Sequence, residues 1–168
     1  MESVNIEYLP KLNDYLEAYS LYESKTPLKK VDKIVAVSLI IIGIIFLSII
    51  IAYDPKIIYI ICGMAFIITG ILEFFGKIDP GKIIVKYQFK KSDKLKHLQK
   101  IKFNDVGLEY ETQGINSRIE WSIYKKYYEG ENIFILIYGK RQYSVIPKYP
   151  FKKDDLNNFR NLLEEKIT

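Results

Sequence analysis

Cysteine, histidine and tryptophan each occur once in the 168 residues. One thiol, Cys62, cannot make an internal disulfide, so no redox framework holds this chain together. The single histidine, His97, sits amid Lys96 and Lys100. Alone it cannot assemble a serine or cysteine triad or a multi-histidine metal site, and it reads as a solvated surface residue. No glycine-rich phosphate loop, paired-cysteine zinc spacing or nucleophile elbow is present either. These absences favour a chain that is not an enzyme and takes no cofactor, with no catalytic, cofactor-binding or metal-binding residue.

Long apolar runs are what the chain does have. From Ile34 to Tyr53 twenty residues carry no charge, and nine of them are Ile. Twenty helical residues span about 30 Å, the thickness of the hydrocarbon core of a bilayer. A second run, Ile57 to Phe75, has one charge, Glu73, near its end. The remaining chain is too short to cover two helices that are apolar all round, which argues against a soluble protein with two buried helices. Thirty-three residues precede the first run, so a cleaved signal peptide is not expected. Glu73 lies four residues before Lys77, a spacing that predicts a helical ion pair near the interface.

Only Asp54, Pro55 and Lys56 separate the runs, which makes them an antiparallel hairpin. Lys25, Lys29, Lys30 and Lys33 precede it; Lys77, Lys82, Lys86, Lys90 and Lys91 follow it. Lysine excess marks the cytoplasmic side, so the turn is expected outside and both termini inside, in a multi-pass protein of the cell membrane. Ala36 and Gly43 are seven apart, as are Gly63 and Gly70. Such stripes let two helices approach closely, although chance placement among so many Ile is almost as good a reading.

The net charge of +5 is uneven, for Lys77 to Lys102 holds nine Lys against Asp79 and Asp93. This stretch is a topology determinant and a solvated face on one reading. On the other it attracts anionic lipid headgroups through Lys82, Lys86, Lys90 and Lys91, each contributing about 1 kcal/mol near a membrane surface. Nucleic acid is not an expected partner, because no recognised binding fold or arginine cluster accompanies the charge. Ile83, Val85, Tyr87 and Phe89 alternate as a strand would, whereas Ile84, Tyr87, Lys91, Leu95 and Leu98 fit a helical seam; the helix is preferred.

Beyond Leu98 short strands alternate with turn residues. Leu98–Phe103, Leu108–Thr112, Ser117–Trp121, Lys126–Tyr128, Ile133–Tyr138 and Gln142–Ile146 predict an antiparallel meander. Pro147 and Pro150 end it, and Leu156, Phe159, Leu162, Leu163 and Ile167 then recur at helical spacing. Trp121, Phe134, Leu136 and Phe159 are assigned to packing. Residues 98–168 alone make a marginal core, so help from elsewhere is useful. At the N-terminus Val4 to Tyr8 alternates like a strand, and Asn13 is placed to cap a helix carrying Leu16, Tyr19 and Leu21.

Gly107-Leu108, Trp121-Ser122, Glu129, Ile146-Pro147-Lys148 and Phe151, followed by a terminal helix, resemble the YcxB-like family of bacterial two-span membrane proteins. That resemblance implies a pleckstrin-homology-like barrel capped by a helix, marked by Trp121, Pro147, Phe151 and Phe159, and implies no activity. The chain departs from the family pattern at Ile123, where an acidic residue is common, at Tyr127, where a small aliphatic is, and at Tyr149, where Arg is.

The expected fold is thus membrane α+β: a transmembrane helical hairpin plus a small antiparallel β-barrel or sheet closed by a C-terminal helix. Its parts are an N-terminal strand and helix segment (1–33), the hairpin (34–76, with spans 34–53 and 57–75 around the turn 54–56), a basic connector (77–97) and a β-domain (98–168). The expected role is a membrane-anchored interaction or regulatory module with an unidentified membrane or cytoplasmic protein as partner. The alternatives are self-protection against a membrane-acting toxin and, less favoured, a membrane enzyme lacking His. Two greasy helices offer no polar path, which disfavours a monomeric pore.

Overall fold

The computed structural model describes residues 4–53 and 56–167. They form two units, one of residues 4–22 and 84–167, the other of residues 23–83 without 54 and 55. Asp54 and Pro55 of the anticipated turn lie outside the described residues.

The second unit is a helical hairpin of α2 (Leu28–Tyr53) and α3 (Ile57–Phe74). Both helices are long and apolar enough to cross a membrane, and nearly nine-tenths of each apolar window is uncovered. They meet along their small residues. A Cβ on Gly70 would stand 2.7 Å from the Ala36 carbonyl oxygen, and one on Gly43 would stand 3.0 Å from the Gly63 carbonyl oxygen. The four small residues therefore mark the line where the two backbones approach, and Ala36 is fully buried there.

The helix α3 ends one residue earlier than the apolar run. Gly76 adopts φ 66°, its N–H donates to the Glu73 carbonyl, and the Lys77 N–H turns back to the Leu72 carbonyl at 2.8 Å. This Schellman ending removes Lys77 from the helix, so the anticipated Glu73–Lys77 helical ion pair does not form. Asp79 then caps α4 (Pro80–Lys91), accepting from the Lys82 N–H at 3.0 Å, with Pro80 in the first helical position. Helical spacing thus prevails over the strand-like alternation, but the seam stops at Lys91; Leu95 lies in a 3-10 turn, Asp93–Lys96.

The first unit contains seven strands. β1 (Val4–Tyr8), β2 (Gln99–Phe103), β3 (Gly107–Thr112) and β4 (Ile115–Glu120) form one antiparallel sheet in that order. β5 (Lys126–Glu129), β6 (Ile133–Gly139) and β7 (Gln142–Pro147) form a second. Among the described residues no closed barrel is formed. The 3-10 turn Trp121–Ile123 breaks the backbone between β4 and β5, so the meander divides into two sheets with no ladder joining them among the described residues. The two sheets instead share one core, including Ile6, Ile101, Phe103, Phe134 and Ile146, against which α5 (Lys153–Lys166) lays Phe159, Leu162 and Leu163.

The strand that precedes the hairpin is built into this sheet: Val4 pairs with Phe103, Ile6 with Ile101 and Tyr8 with Gln99. The alternate burial of Val4, Ile6 and Tyr8 shows the period-2 pattern at work. α1 (Leu12–Lys25) begins one residue before Asn13, which therefore sits in its first turn and does not cap it. Asp14 does so, accepting from the Lys11 N–H at 3.3 Å. Glu17 then accepts from the Asn132 backbone and side-chain N–H groups at 2.9 and 3.1 Å, holding α1 on the β5–β6 turn. Tyr22 accepts from the N–H of Arg141, the one non-glycine described residue at positive φ.

Candidate functional site

Two charged surfaces stand out on the first unit and α4. The first is the solvent face of the four-stranded sheet, which lines an open groove of about 730 Å³. Cross-strand register places Glu7, Lys100 and Glu111 in one row and Lys102, Glu109 and Arg118 in the next. Opposite signs face each other across every step, so the rows stabilise strand pairing while their charges cancel. The groove presents no field of one sign.

The second is α4. Lys82, Lys86 and Lys90 recur every four residues on one side, while Lys91 lies beside Tyr87 with its Nζ 5.9 Å from the ring centroid. Lys82 is already engaged by Asp79 at 3.5 Å. Among the described residues Lys86 and Lys90 have no ion-pair partner, and Lys90 and Lys91 also suit the negative end of the helix dipole. Val85 and Phe89 are half-buried, and Phe89 meets Tyr15 of α1 at 5.4 Å. Ile84 and Tyr87 are mostly uncovered, being 55% and 64% exposed.

The residues that carried the family resemblance hold the fold. A Cβ at Gly107 would run into the Ile119 carbonyl oxygen of the neighbouring strand. The Trp121 indole N–H donates to the Asn104 carbonyl at 2.8 Å, and the ring is 4% exposed beside Phe103. Phe159 is the hub of an aromatic cluster, 4.4 Å from Phe103, 5.1 Å from Phe151 and 5.3 Å from Phe134. Pro147 is fully buried at the end of β7.

Glu129 joins three elements. It accepts from the Lys148 Nζ at 2.6 Å and from the Arg160 Nη2 and Nε at 2.8 and 3.1 Å. Lys148 also donates to the Gly130 carbonyl at 2.7 Å and lies 5.0 Å over the Phe134 ring. Partial burial raises the Glu129 pKa, but the hydrogen bonds from Arg160 and Lys148 outweigh it and hold the carboxyl below its ordinary range. Arg160 belongs to no motif and was not singled out from the sequence, where its place one helical turn beyond Leu156 is the one signal it carries. Tyr127 packs against the core, Ile123 is exposed, and Tyr149 reaches the N-terminal segment.

Among the described residues no three of His, Cys, Asp and Glu converge as metal ligands. The assembly is of the class in which an apolar helical hairpin is inserted into an α+β domain with two antiparallel sheets. Residues 103–163 match the model of the family described as YcxB-like protein, which shows the resemblance over that stretch. No curated protein and no solved structure gives a match.

Proposed function

We propose that this chain is a membrane-anchored, non-catalytic interaction module: α2 and α3 cross the cell membrane, and the α+β domain stands at the cytoplasmic face to meet anionic lipid or a protein partner. The observation that carries this reading is the pairing of β1 with β2. One strand precedes the hairpin and the other follows it, yet they share a ladder of five residue pairs. Chain on both sides of the hairpin must then lie on the same side of any membrane it crosses, which requires an even number of crossings. Two apolar helices supply them. The lysines flanking these helices, against the single Lys56 between them, favour the cytoplasm as that side.

Seven strands in two sheets followed by a helix support a pleckstrin-homology-like arrangement opened at the β4–β5 corner. The match over residues 103–163 supports kinship with the YcxB-like family. In the full chain carrying Cys62→Ala, a cysteine placed at Lys56 is expected to react with an impermeant reagent on intact cells, and one at Lys153 only after the cells are opened. Labelling of the Lys153 site in unbroken cells would sink the reading.

A further inference from the structure

We propose that α4 is an interfacial helix whose Ile84–Tyr87 face is seated in the headgroup and acyl boundary of the same bilayer. This rests on the membrane reading above and adds a site to it. The helix is apolar on two sides. Val85 and Phe89 face one way, and Phe89 is covered by Tyr15. At 100° per residue, the face of Ile84, Tyr87 and Lys91 points about 150° away, and Ile84 and Tyr87 on it stay more than half exposed. Ile83, 59% exposed, borders that face.

Chain continuity names the occupant. The Ile78 N–H still reaches back to the Leu72 carbonyl in the last turn of α3, at 3.3 Å. Pro80 opens α4 two residues later, about 7 Å along the chain. If α3 crosses the hydrocarbon, its last turn lies at the edge, and the interfacial layer beyond is about 5–8 Å thick on each side. The first turn of α4 therefore starts within that layer. Its composition suits the place: branched aliphatics and a tyrosine between lysines, a pattern of helices that lie in the interface. Lys86 and Lys90 flank the apolar face on one side, while Lys91 lies within it with a stem long enough to carry its ammonium outward.

The test uses the full chain, with Cys62→Ala, reconstituted in vesicles containing anionic lipid. An environment-sensitive fluorophore is attached in turn to cysteines at Ile84, Tyr87, Ile45 and Glu109, and quenched by lipids bearing a nitroxide near the headgroup or deep in the acyl chain. Labels at Ile84 and Tyr87 are expected to shift to the blue and be quenched best by the shallow probe. The Ile45 label should respond to the deep probe and the Glu109 label to neither. Replacing Lys86, Lys90 and Lys91 with Glu should reduce shallow quenching at Ile84 to the Glu109 level. If Ile45 escapes the deep probe, the membrane reading itself fails. If Ile45 is quenched while Ile84 and Tyr87 behave like Glu109, the interfacial helix alone is overturned. A blue shift at Ile84 that depends on protein density and not on the lipid probes would assign the face to a second copy and equally overturn it.

Discussion

The Tyr149 hydroxyl donates to the Leu9 carbonyl at 2.8 Å, joining positions 140 residues apart. The Lys11 ammonium lies 3.8 Å from the centroid of the same ring, and Tyr8 meets it edge-on at 6.4 Å. A single side chain after β7 thus fixes the connection between β1 and α1.

Tyr149→Phe is expected to cost about 1 kcal/mol, the net worth of one neutral hydrogen bond. Tyr149→Ala should cost more, because the contacts with Lys11 and Tyr8 go too. Amide exchange in β1 measures both. Equal protection in all three proteins would show that the ring is not what holds the strand.

Alkaline pH should act on the same contact. Burial, reinforced by nearby Asp14, pushes the Tyr149 hydroxyl up to about 12, and burial raises Tyr8 and Tyr15 as well. The fold therefore favours the neutral phenol. Its contribution is intact below the unfolded value of about 10 and is lost as pH climbs from there through the folded value. Unfolding measured between pH 9 and about 12 should show a falling stability that Tyr149→Phe makes shallower. An unchanged slope in that variant would refute the assignment.

Glu129 should govern the acid side. Its carboxyl is held below the ordinary 4.5, so its contribution is present above that value and disappears as pH falls through the lower folded one. Glu129→Gln is expected to be less stable at neutral pH and to lose less on acidification. Denaturant midpoints at pH 7 and pH 3 decide it, and parallel losses in both proteins would contradict the role.

Trp121→Ala should destabilise the α+β domain by about 3–5 kcal/mol, since truncating a buried aromatic leaves a cavity. Trp121→Phe keeps part of the ring but orphans the Asn104 carbonyl, at a cost of about 1–3 kcal/mol. Pulse proteolysis of the full chain ranks the two variants; an alanine loss below about 1 kcal/mol would place the ring outside the core.

In the hairpin, Gly70→Ala is expected to cost about 1–3 kcal/mol because the new methyl group meets the backbone at Ala36. Gly63→Ala should cost less, for it meets the Leu47 and Phe46 side chains and no backbone atom. Unfolding of the full chain in mixed micelles compares them. The reverse order would mean that the backbone approach at Gly70 does not set the helix spacing.

Much of this architecture was legible because each signal is local. The strands after Leu98 declare themselves by alternation between turn residues, and α5 by its apolar spacing. What was hidden depends on distant partners. The pattern of Val4 to Tyr8 reads as a strand, but its pairing with Gln99–Phe103 is a contact across the hairpin that no window along the chain contains. Glu129 and Arg160 likewise meet only once β5 and α5 are placed. The barrel expectation failed at Trp121–Ile123, where the strand expected over Ser117–Trp121 stops at Glu120 and gives way to a three-residue turn. Glu73 and Lys77 misled because spacing implies a shared face only while the helix lasts, and Gly76 ends it.

The β1–β2 ladder also sets a timetable for biosynthesis. β1 leaves the ribosome about ninety residues ahead of β2, a delay of about 5–18 s at typical elongation rates. Both apolar helices are made within that interval. The first strand must therefore wait, with its edge unpaired, until the hairpin is complete. A chain arrested partway keeps a naked strand edge, the feature that proteases and aggregation partners engage first. Closure of the sheet thus comes only after both helices of the hairpin have been synthesised.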